Sequence, residues 1–363
     1  MLDLSLPTGL RDLLPDHSAH LAQLSGNLHE TFSSFGYRRV LLPTLERLEV
    51  VERGLSVSAR SLVLKFVEPG SGEVVAIRPD ITPQIARLYA ARPDALPAPA
   101  RLCYDGPVLR AREARAGRPR EVYQAGVELL GAGGAGADAE ALVLLARALG
   151  VVGLKGAVIE VGHARFAQEV IGAAGLSLVA REDAAEALSR KDEGALSALA
   201  RHGRRARAKD ALPLLAGLYG ERALARAREV VRSVPAAAEA LHEVEVALKL
   251  ARRRGVSAVE VDLGEVRGLG YYTGVTFAGY APGAGSAVAA GGRYDGLLGR
   301  FGRPGPAIGF AVDLEFATQA LERAAVSTRG RPPARTVHRN PAGKARAFGR
   351  RLPGVSRPGR VAR

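Results

Sequence analysis

This chain of 363 residues has only one cysteine and lacks the histidine spacings that are typical of metal sites. The single cysteine, Cys103, excludes a disulfide framework and any metal site built from several cysteines. None of the seven histidines forms an H-x-x-x-H or H-E-x-x-H pattern. No apolar run approaches the roughly 20 residues that a membrane-spanning helix needs, and the start lacks the basic and apolar regions of a signal peptide. We therefore expect a soluble cytosolic protein, and no metal site.

Acidic residues are missing from residues 324–363, which contain eleven lysines or arginines. The other 323 residues hold 40 basic and all 37 acidic groups, so the net charge of +14 belongs mainly to this end. The tail at 325–363 is rich in proline, glycine and arginine, which predicts a disordered segment. RNA-binding arms often interleave aromatic residues for stacking, whereas this tail has only Phe348. We predict neither a membrane partner nor a specific nucleic-acid ligand.

The order of the predicted elements favours an α+β fold. The segment from about 165 to 255 is rich in alanine, leucine and arginine, which predicts a helical insertion in a domain that spans 1–324. Strands on both sides of an insertion argue for one mostly antiparallel sheet rather than a doubly wound fold. Helices are predicted at 15–36, 82–92, 138–149 and within 308–324, strands at 37–43, 101–112, 120–131, 157–163, 258–266, 271–280 and 286–292, and a β-hairpin at 62–80.

The glycines of GAGGAG, residues 131–136, match the G-x-G-x-x-G fingerprint of dinucleotide-binding folds. The segment follows a predicted strand, precedes a predicted helix, and has Glu160 at a later strand end. Asp138 and Glu140, however, would open that helix where a pyrophosphate needs bare N–H groups. The surrounding strands also look antiparallel, so we favour a flexible turn.

Two pairs of polar residues fall on predicted elements, and each pair has an ordinary structural explanation. Asp80 and Thr82 lie at a strand-to-helix junction, where Thr82 would cap the helix and Pro83 would take its first position. Gln124 and Glu128 lie four residues apart in a predicted strand, so their side chains share one face, which is commonly just solvated.

Arginines and tyrosines form the remaining motifs. Five arginines fall within residues 110–120, and clusters of this kind usually hold phosphate, carboxylate or nucleic acid. The segment RGLGYYTG contains Arg267, Tyr271 and Tyr272, for which a hairpin alone would be a sufficient explanation.

Taken together, these motifs resemble class II histidyl-tRNA synthetases. RPDIT, the run from Arg110 to GRPREVYQAGVELLG, RGLGYYTG, AGGRYDGLLGRFG and PAIGFAVDLE occur in the order of that family, from Pro7 to about Ala324. The resemblance implies a six-stranded antiparallel sheet flanked by helices, an interrupting helical domain, and a dimer.

The resemblance also implies a histidine-binding site. In the synthetases, an acidic residue, a threonine, a glutamine, a glutamate, an arginine and tyrosines hold histidine. The shorter Asp80 stands where the family has a glutamate. The chemistry is coherent, because carboxylates and amides can bind an ammonium group, and an arginine can bind a carboxylate. The counterparts in this sequence are Asp80, Thr82, Gln124, Glu128, Arg267, Tyr271 and Tyr272.

The ATP half of the synthetase site is less complete. Arg110, Arg118 and Arg120 match the family pattern and could retain some capacity to bind an anion. Arg112 replaces a glutamate that would meet the nucleotide, and Phe316 replaces an arginine that would bind ATP phosphates. Gly270 and Asp313 also depart from the family pattern. Only 48 residues follow Glu315, so we expect the anticodon-binding domain to be missing.

A retained histidine pocket beside an altered ATP site is similar to one branch of this family, the regulatory subunits of short-form ATP phosphoribosyltransferases. The resemblance implies no catalytic activity and no cofactor. It also implies assembly with the catalytic subunit into a hetero-octamer, and feedback inhibition by histidine at the first step of histidine biosynthesis.

Two alternatives stay open at this point. The first is a truncated synthetase-like enzyme that activates histidine with ATP, which the retained Arg110 and Arg267 would permit. The second is an RNA-binding protein that uses its basic tail. The dinucleotide-binding interpretation of residues 131–136 is a third and weaker one.

Overall fold

The structure is a computed structural model, and it describes residues 4–56, 59–112, 119–265 and 271–329. Arg118, Arg267 and Gly270, and the tail from 330 onward, lie outside the described residues. Within them, no helix is both long and apolar enough to cross a membrane. The strands are β1 (Arg38–Arg39), β2 (Leu45–Arg47), β3 (Leu64–Val67), β4 (Val74–Ile77), β5 (Ala100–Leu109), β6 (Glu121–Leu130), β7 (Val158–His163), β8 (Val259–Val261), β9 (Val275–Tyr280), β10 (Ala289–Arg293) and β11 (Ala307–Asp313).

Helices flank these strands and fill the long connection between β7 and β8. Short 3₁₀ turns at 59–62, 213–217 and 235–237 complete the regular structure of the described part. The α-helices are α1 (Pro15–Ser34), α2 (Leu48–Gly54), α3 (Thr82–Ala91), α4 (Gly134–Val151), α5 (Phe166–Ala173), α6 (Leu178–Ser189), α7 (Glu193–Ala200), α8 (Ala206–Lys209), α9 (Ala223–Ser233), α10 (Ala238–Arg253), α11 (Asp295–Gly299) and α12 (Leu314–Arg329).

The main sheet confirms the α+β prediction. Its order is β1-β5-β6-β11-β10-β9-β7-β8. The six central strands, from β5 to β7 in this order, pair antiparallel with their neighbours. β1 and β8 each add one parallel strand at an edge. The predicted hairpin at 62–80 is also confirmed, because β3 and β4 pair antiparallel in a second sheet of order β2-β4-β3.

The alternation of residues along β6 explains how this sheet separates a core from a cavity. Ala125, Val127 and Leu129 point into the main core, which α1 and α4 cover. Since strand side chains alternate between faces, Gln124 and Glu128 point to the other side. The sequence of β6 therefore places two polar side chains on the face away from the main core.

Several predicted boundaries were wrong by a few residues. β1 is only two residues long, because it pairs with β5 only at Arg38 and Arg39. β9 begins at Val275 instead of Tyr271. α4 begins at Gly134, four residues earlier than predicted, so its first turn holds no acidic residue.

The segment between β7 and β8 is helical, as the composition of residues 165–255 predicts. Its helices α5 to α10 return to the sheet through α10, which packs against α4 and β7. His163 at the end of β7 and Arg165 both pair with Glu243 of α10, at 2.9 and 3.0 Å. The backbone N–H of Arg165 donates to His163 Nδ1, so the Nε2 atom of this histidine is the one that faces Glu243.

Candidate functional site

A cavity of about 780 Å³ lies on the face of the main sheet opposite the α1 and α4 layer. It brings together Asp80, Thr82, Gln124, Glu128, Tyr271, Tyr272 and Arg110, all of which the sequence predicts as site residues. The other polar side chains that line it are Tyr104, Arg112, Tyr294 and Asp313.

The start of α3 supplies Asp80 and Thr82 to the cavity. The prediction that Thr82 caps this helix was wrong, because the helix begins at Thr82 itself and its N-cap, Ile81, has no side-chain cap. Asp80 Oδ1 accepts the N–H of Thr82 at 3.3 Å, which leaves the threonine hydroxyl free for another contact. That hydroxyl donates to Glu128 Oε1 at 2.8 Å.

Glu128 lies at the floor of the cavity and is 1% exposed. Three hydroxyl groups meet its carboxyl group: Thr82 and Tyr104 reach Oε1 at 2.8 and 3.4 Å, and Tyr294 donates to Oε2. Burial raises the pKa of Glu128 to about 8, and the nearby Asp80 carboxyl adds to this rise. A buried acid with such a raised pKa is a frequent feature of ligand sites.

The strand next to β6 has a glycine where this carboxyl group needs space. Gly309 of β11 pairs directly with Glu128 in the sheet register. A Cβ atom on Gly309 would collide with Glu128 Oε2, and one on Gly126 would collide with the Tyr104 hydroxyl group. Neighbouring glycines thus make room for the side chains of the floor.

Tyrosines form the wall above Glu128. The Tyr271 hydroxyl donates to Asp80 Oδ2 at 3.1 Å, and the Tyr271 and Tyr272 rings lie 4.8 Å apart. Burial raises the pKa of Asp80, although its contacts with Thr82 and Tyr271 oppose that rise. The Asp80 and Glu128 carboxyl groups therefore lie among hydroxyl groups in this cavity.

The arginines separate into different environments. Arg110 and Arg112 line the cavity, and Arg112 Nη2 donates to Ser61 Oγ at 3.0 Å. The Arg120 guanidinium donates to the carbonyl oxygens of Arg110 and Thr8, so the backbone occupies this side chain. Arg118 and Arg267 lie outside the described residues, and their proposed contacts stay predictions.

The position of the altered ATP-binding residue is also clear. Phe316 is 8% exposed and packs in the main core, and it does not line the cavity. Its backbone N–H donates to Asp313 Oδ1 at 3.0 Å. Asp313, by contrast, borders the cavity, where its carboxylate would repel phosphate.

Sequence reasoning missed Tyr104 and Tyr294 as residues of the cavity. Tyr294 stands in the AGGRYDGLL motif, which drew attention only for its glycines. Tyr104 has no such motif, and it reaches Glu128 because β5 pairs with β6 so that Tyr104 lies opposite Gly126. Among the described residues, no group of three His, Cys, Asp or Glu side chains could hold a metal ion.

The prediction of a flexible turn at 131–136 was wrong for its second half, because α4 begins at Gly134. The segment lies in an antiparallel context, which is not that of a dinucleotide fingerprint. β6 enters it, and the neighbours of β6 are both antiparallel. Asp138 forms a buried ion pair with Arg293, at 2.6 Å, and Glu140 pairs with Arg101 at 2.9 Å. These two carboxylates are thus used for packing between elements.

Comparisons with known proteins show which family the chain resembles. The family model described as histidyl-tRNA synthetase matches residues 9–317. The chain is 80% identical over 336 residues to an ATP phosphoribosyltransferase regulatory subunit of Anaeromyxobacter sp. (strain Fw109-5), covering 92% of this chain and 97% of that protein. It is 38% identical over 324 residues to the regulatory subunit of Geobacter sulfurreducens, covering 89% of this chain and 74% of that protein.

A solved structure extends the likeness to the fold. The ATP phosphoribosyltransferase regulatory subunit/histidyl-tRNA synthetase from Bacillus halodurans C superposes with a TM-score of 0.79 at 30% identity. The match covers 88% of this chain and 84% of that one. The chain therefore belongs to the family of ATP phosphoribosyltransferase regulatory subunits, which has the fold of class II histidyl-tRNA synthetases.

Proposed function

We propose that the protein is a non-catalytic regulatory subunit of a short-form ATP phosphoribosyltransferase and that it binds histidine in the cavity as a feedback effector. The observation that carries the proposal is the buried Glu128 and the half-buried Asp80, which share a single cavity with tyrosine hydroxyl groups. Among the described residues, no cationic side chain makes a hydrogen bond to either of these two carboxyl groups. The cavity therefore suits a small cationic ligand, whose ammonium group or ring N–H would donate to them.

The two ends of histidine suit different parts of this site. Asp80, Thr82 and Gln124 would receive the α-ammonium group near the start of α3. Glu128 would accept a ring N–H at the floor, where Tyr294 and Thr82 fix its orientation. Arg267 is the proposed partner of the ligand carboxylate, because a guanidinium can bind both carboxylate oxygens.

Feedback would follow from linkage between the effector and the catalytic subunit. Histidine that binds one state of a hetero-octamer better than another shifts the population toward that state. A coupling of about 1–3 kcal/mol changes the equilibrium between two such states several-fold to about a hundredfold. Self-association as a dimer, the domain organisation of 1–324 with its insertion, and the cytosolic location are further parts of the proposal.

The decisive experiment adds the purified protein to a short-form catalytic subunit and titrates histidine while phosphoribosyl transfer is measured. We expect a complex on size-exclusion chromatography and an activity that falls as histidine rises, by about fivefold or more at saturation. A catalytic subunit alone serves as the control, since histidine should leave it unaffected over the same range. No complex and no histidine effect would contradict the proposal.

The enzyme alternative has its own measurement. Arg110 at the cavity wall keeps a synthetase-like adenylation conceivable, whereas Arg112 and Asp313 change the charge of the nucleotide half. Histidine-dependent exchange of pyrophosphate into ATP would support the enzyme, and we expect none. RNA binding by the tail is tested separately, by deleting residues 325–363 and measuring salt-dependent affinity.

A further inference from the structure

The turn between α6 and α7 contains a lysine in an unusual backbone conformation. Lys191 has a φ of 53°, the only positive φ of a non-glycine residue in the part of the chain that the structure describes. This region is disfavoured for residues with a Cβ atom, so the surroundings must stabilise it. The Lys191 Nζ atom donates to both carboxylate oxygens of Asp262, at 2.7 and 2.8 Å, and lies 6.0 Å from the centre of the Tyr219 ring.

Asp262 directly follows β8 and is held from several sides. It is 7% exposed, and its Oδ1 atom also accepts the N–H of Gly264 at 2.9 Å. Its own N–H donates to the carbonyl oxygen of Val161 in β7 at 2.9 Å. Because a buried carboxylate needs a compensating charge, Lys191 is the side chain that makes this arrangement stable.

The backbone of the insertion holds the same stretch of chain. The N–H of Leu263 donates to the carbonyl oxygen of Leu218 at 2.9 Å, and the N–H of Gly220 donates to that of Val261 at 2.9 Å. The insertion therefore contacts residues 261–264 through both its backbone and Lys191.

The fixed stretch precedes a residue of the cavity wall in the sequence. Seven residues after Gly264 the chain reaches Tyr271, whose hydroxyl donates to Asp80. The observed connection runs through Gly162 of β7, where a Cβ atom would lie against both the carbonyl oxygen of Asp262 and the hydroxyl oxygen of Thr276. A shift of Asp262 would thus reach Thr276, four residues after Tyr272, through packing.

We propose that Lys191 is a positioning residue: through Asp262 it lets the helical insertion set the position of the chain segment that lines the ligand cavity. Ligand binding and the placement of the insertion are then energetically coupled, and the coupling acts in both directions. The identity of the ligand as histidine rests on the proposed function, whereas the contact itself does not.

The test compares Lys191→Met with Arg190→Met in the full-length protein. Arg190 is the adjacent residue and pairs with Glu186 on the exposed surface of α6, which makes it a matched control. Without ligand, we expect amide hydrogen exchange at 271–280 to be faster in Lys191→Met and unchanged in Arg190→Met. By calorimetry, we expect Lys191→Met to bind histidine about fivefold or more weakly, and Lys191→Arg to recover most of the affinity.

Each result decides a different question. Unchanged exchange at 271–280 in Lys191→Met overturns the proposal, and so does a uniform rise over the whole chain, which would mean general destabilisation. A wild-type protein that binds no histidine contradicts the proposed function, and the exchange comparison alone then decides whether Lys191 positions the cavity wall.

Discussion

The Glu128→Ala variant is expected to lose histidine binding by at least about 30-fold while it keeps its fold. Glu128 is the most buried acid of the cavity, and it is the side chain on which the hydroxyl groups of Thr82, Tyr104 and Tyr294 converge. Removing it takes away the acceptor for the ring N–H of histidine. The three hydroxyl groups also lose their hydrogen-bond partner, which a bound ligand would leave unreplaced.

The measurement is isothermal titration calorimetry of histidine into each protein, with circular dichroism as the check on folding. Glu121→Ala is the matched control, because Glu121 lies on the same strand, is exposed, and does not line this cavity. We expect the control to bind histidine as the wild type does. If Glu128→Ala folds and binds histidine with unchanged affinity, the proposal that histidine binds in this cavity is contradicted.

The polar residues that share one strand could be predicted from the sequence. A period of two puts Gln124 and Glu128 on the same face of β6, while Ala125, Val127 and Leu129 identify the opposite face as the core side. Such a pattern needs no knowledge of other strands. It gave the right strand and the right face, and the resemblance supplied the ligand for which the two residues are proposed.

The contacts that complete the floor could not be read from any single segment. Tyr294 lies 166 residues from Glu128 along the chain and reaches it through the order of β6, β11 and β10. The space for the carboxyl group depends on the register that sets Gly309 opposite Glu128. Register and strand order are set by the packing of the whole sheet, so a local pattern carries no signal for them.

The preference of Thr and Asp for helix N-termini also gave wrong predictions where a buried polar group needed the same side chain. Thr82 is a favourable capping residue, yet its hydroxyl donates to Glu128, and Asp80 accepts the Thr82 N–H instead. Asp138 likewise suits the first turn of a helix by composition, but α4 begins earlier and Asp138 pairs with the buried Arg293. In both cases the cost of leaving a buried polar group unpaired exceeds the capping preference.

The Glu128→Gln variant is expected to be more stable than the wild type at alkaline pH and similar to it in acid. The pKa of Glu128 rises from 4.5 to about 8 in the folded protein, chiefly because burial penalises the charged form. A group whose pKa is raised on folding binds protons more tightly in the folded state, so the wild type loses stability as the pH rises between these two values. At 1.36 kcal/mol per pKa unit, the full loss is on the order of 3–5 kcal/mol above pH 8.

Glutamine keeps the shape of the side chain and an oxygen that can accept from Tyr294 or Thr82, but it has no charge to bury. Urea unfolding of both proteins at pH 5, 7 and 9 gives the difference in the free energy of unfolding, from which the titration of other groups cancels. We expect this difference to be smallest at pH 5 and to grow in favour of Glu128→Gln toward pH 9, while Glu121→Gln follows the wild type throughout. A difference that does not change with pH would mean that folding does not raise the pKa of Glu128 in the ligand-free protein. A rising difference, together with weaker histidine binding by Glu128→Gln, would mean that the carboxyl group is kept for the ligand at a cost to the fold.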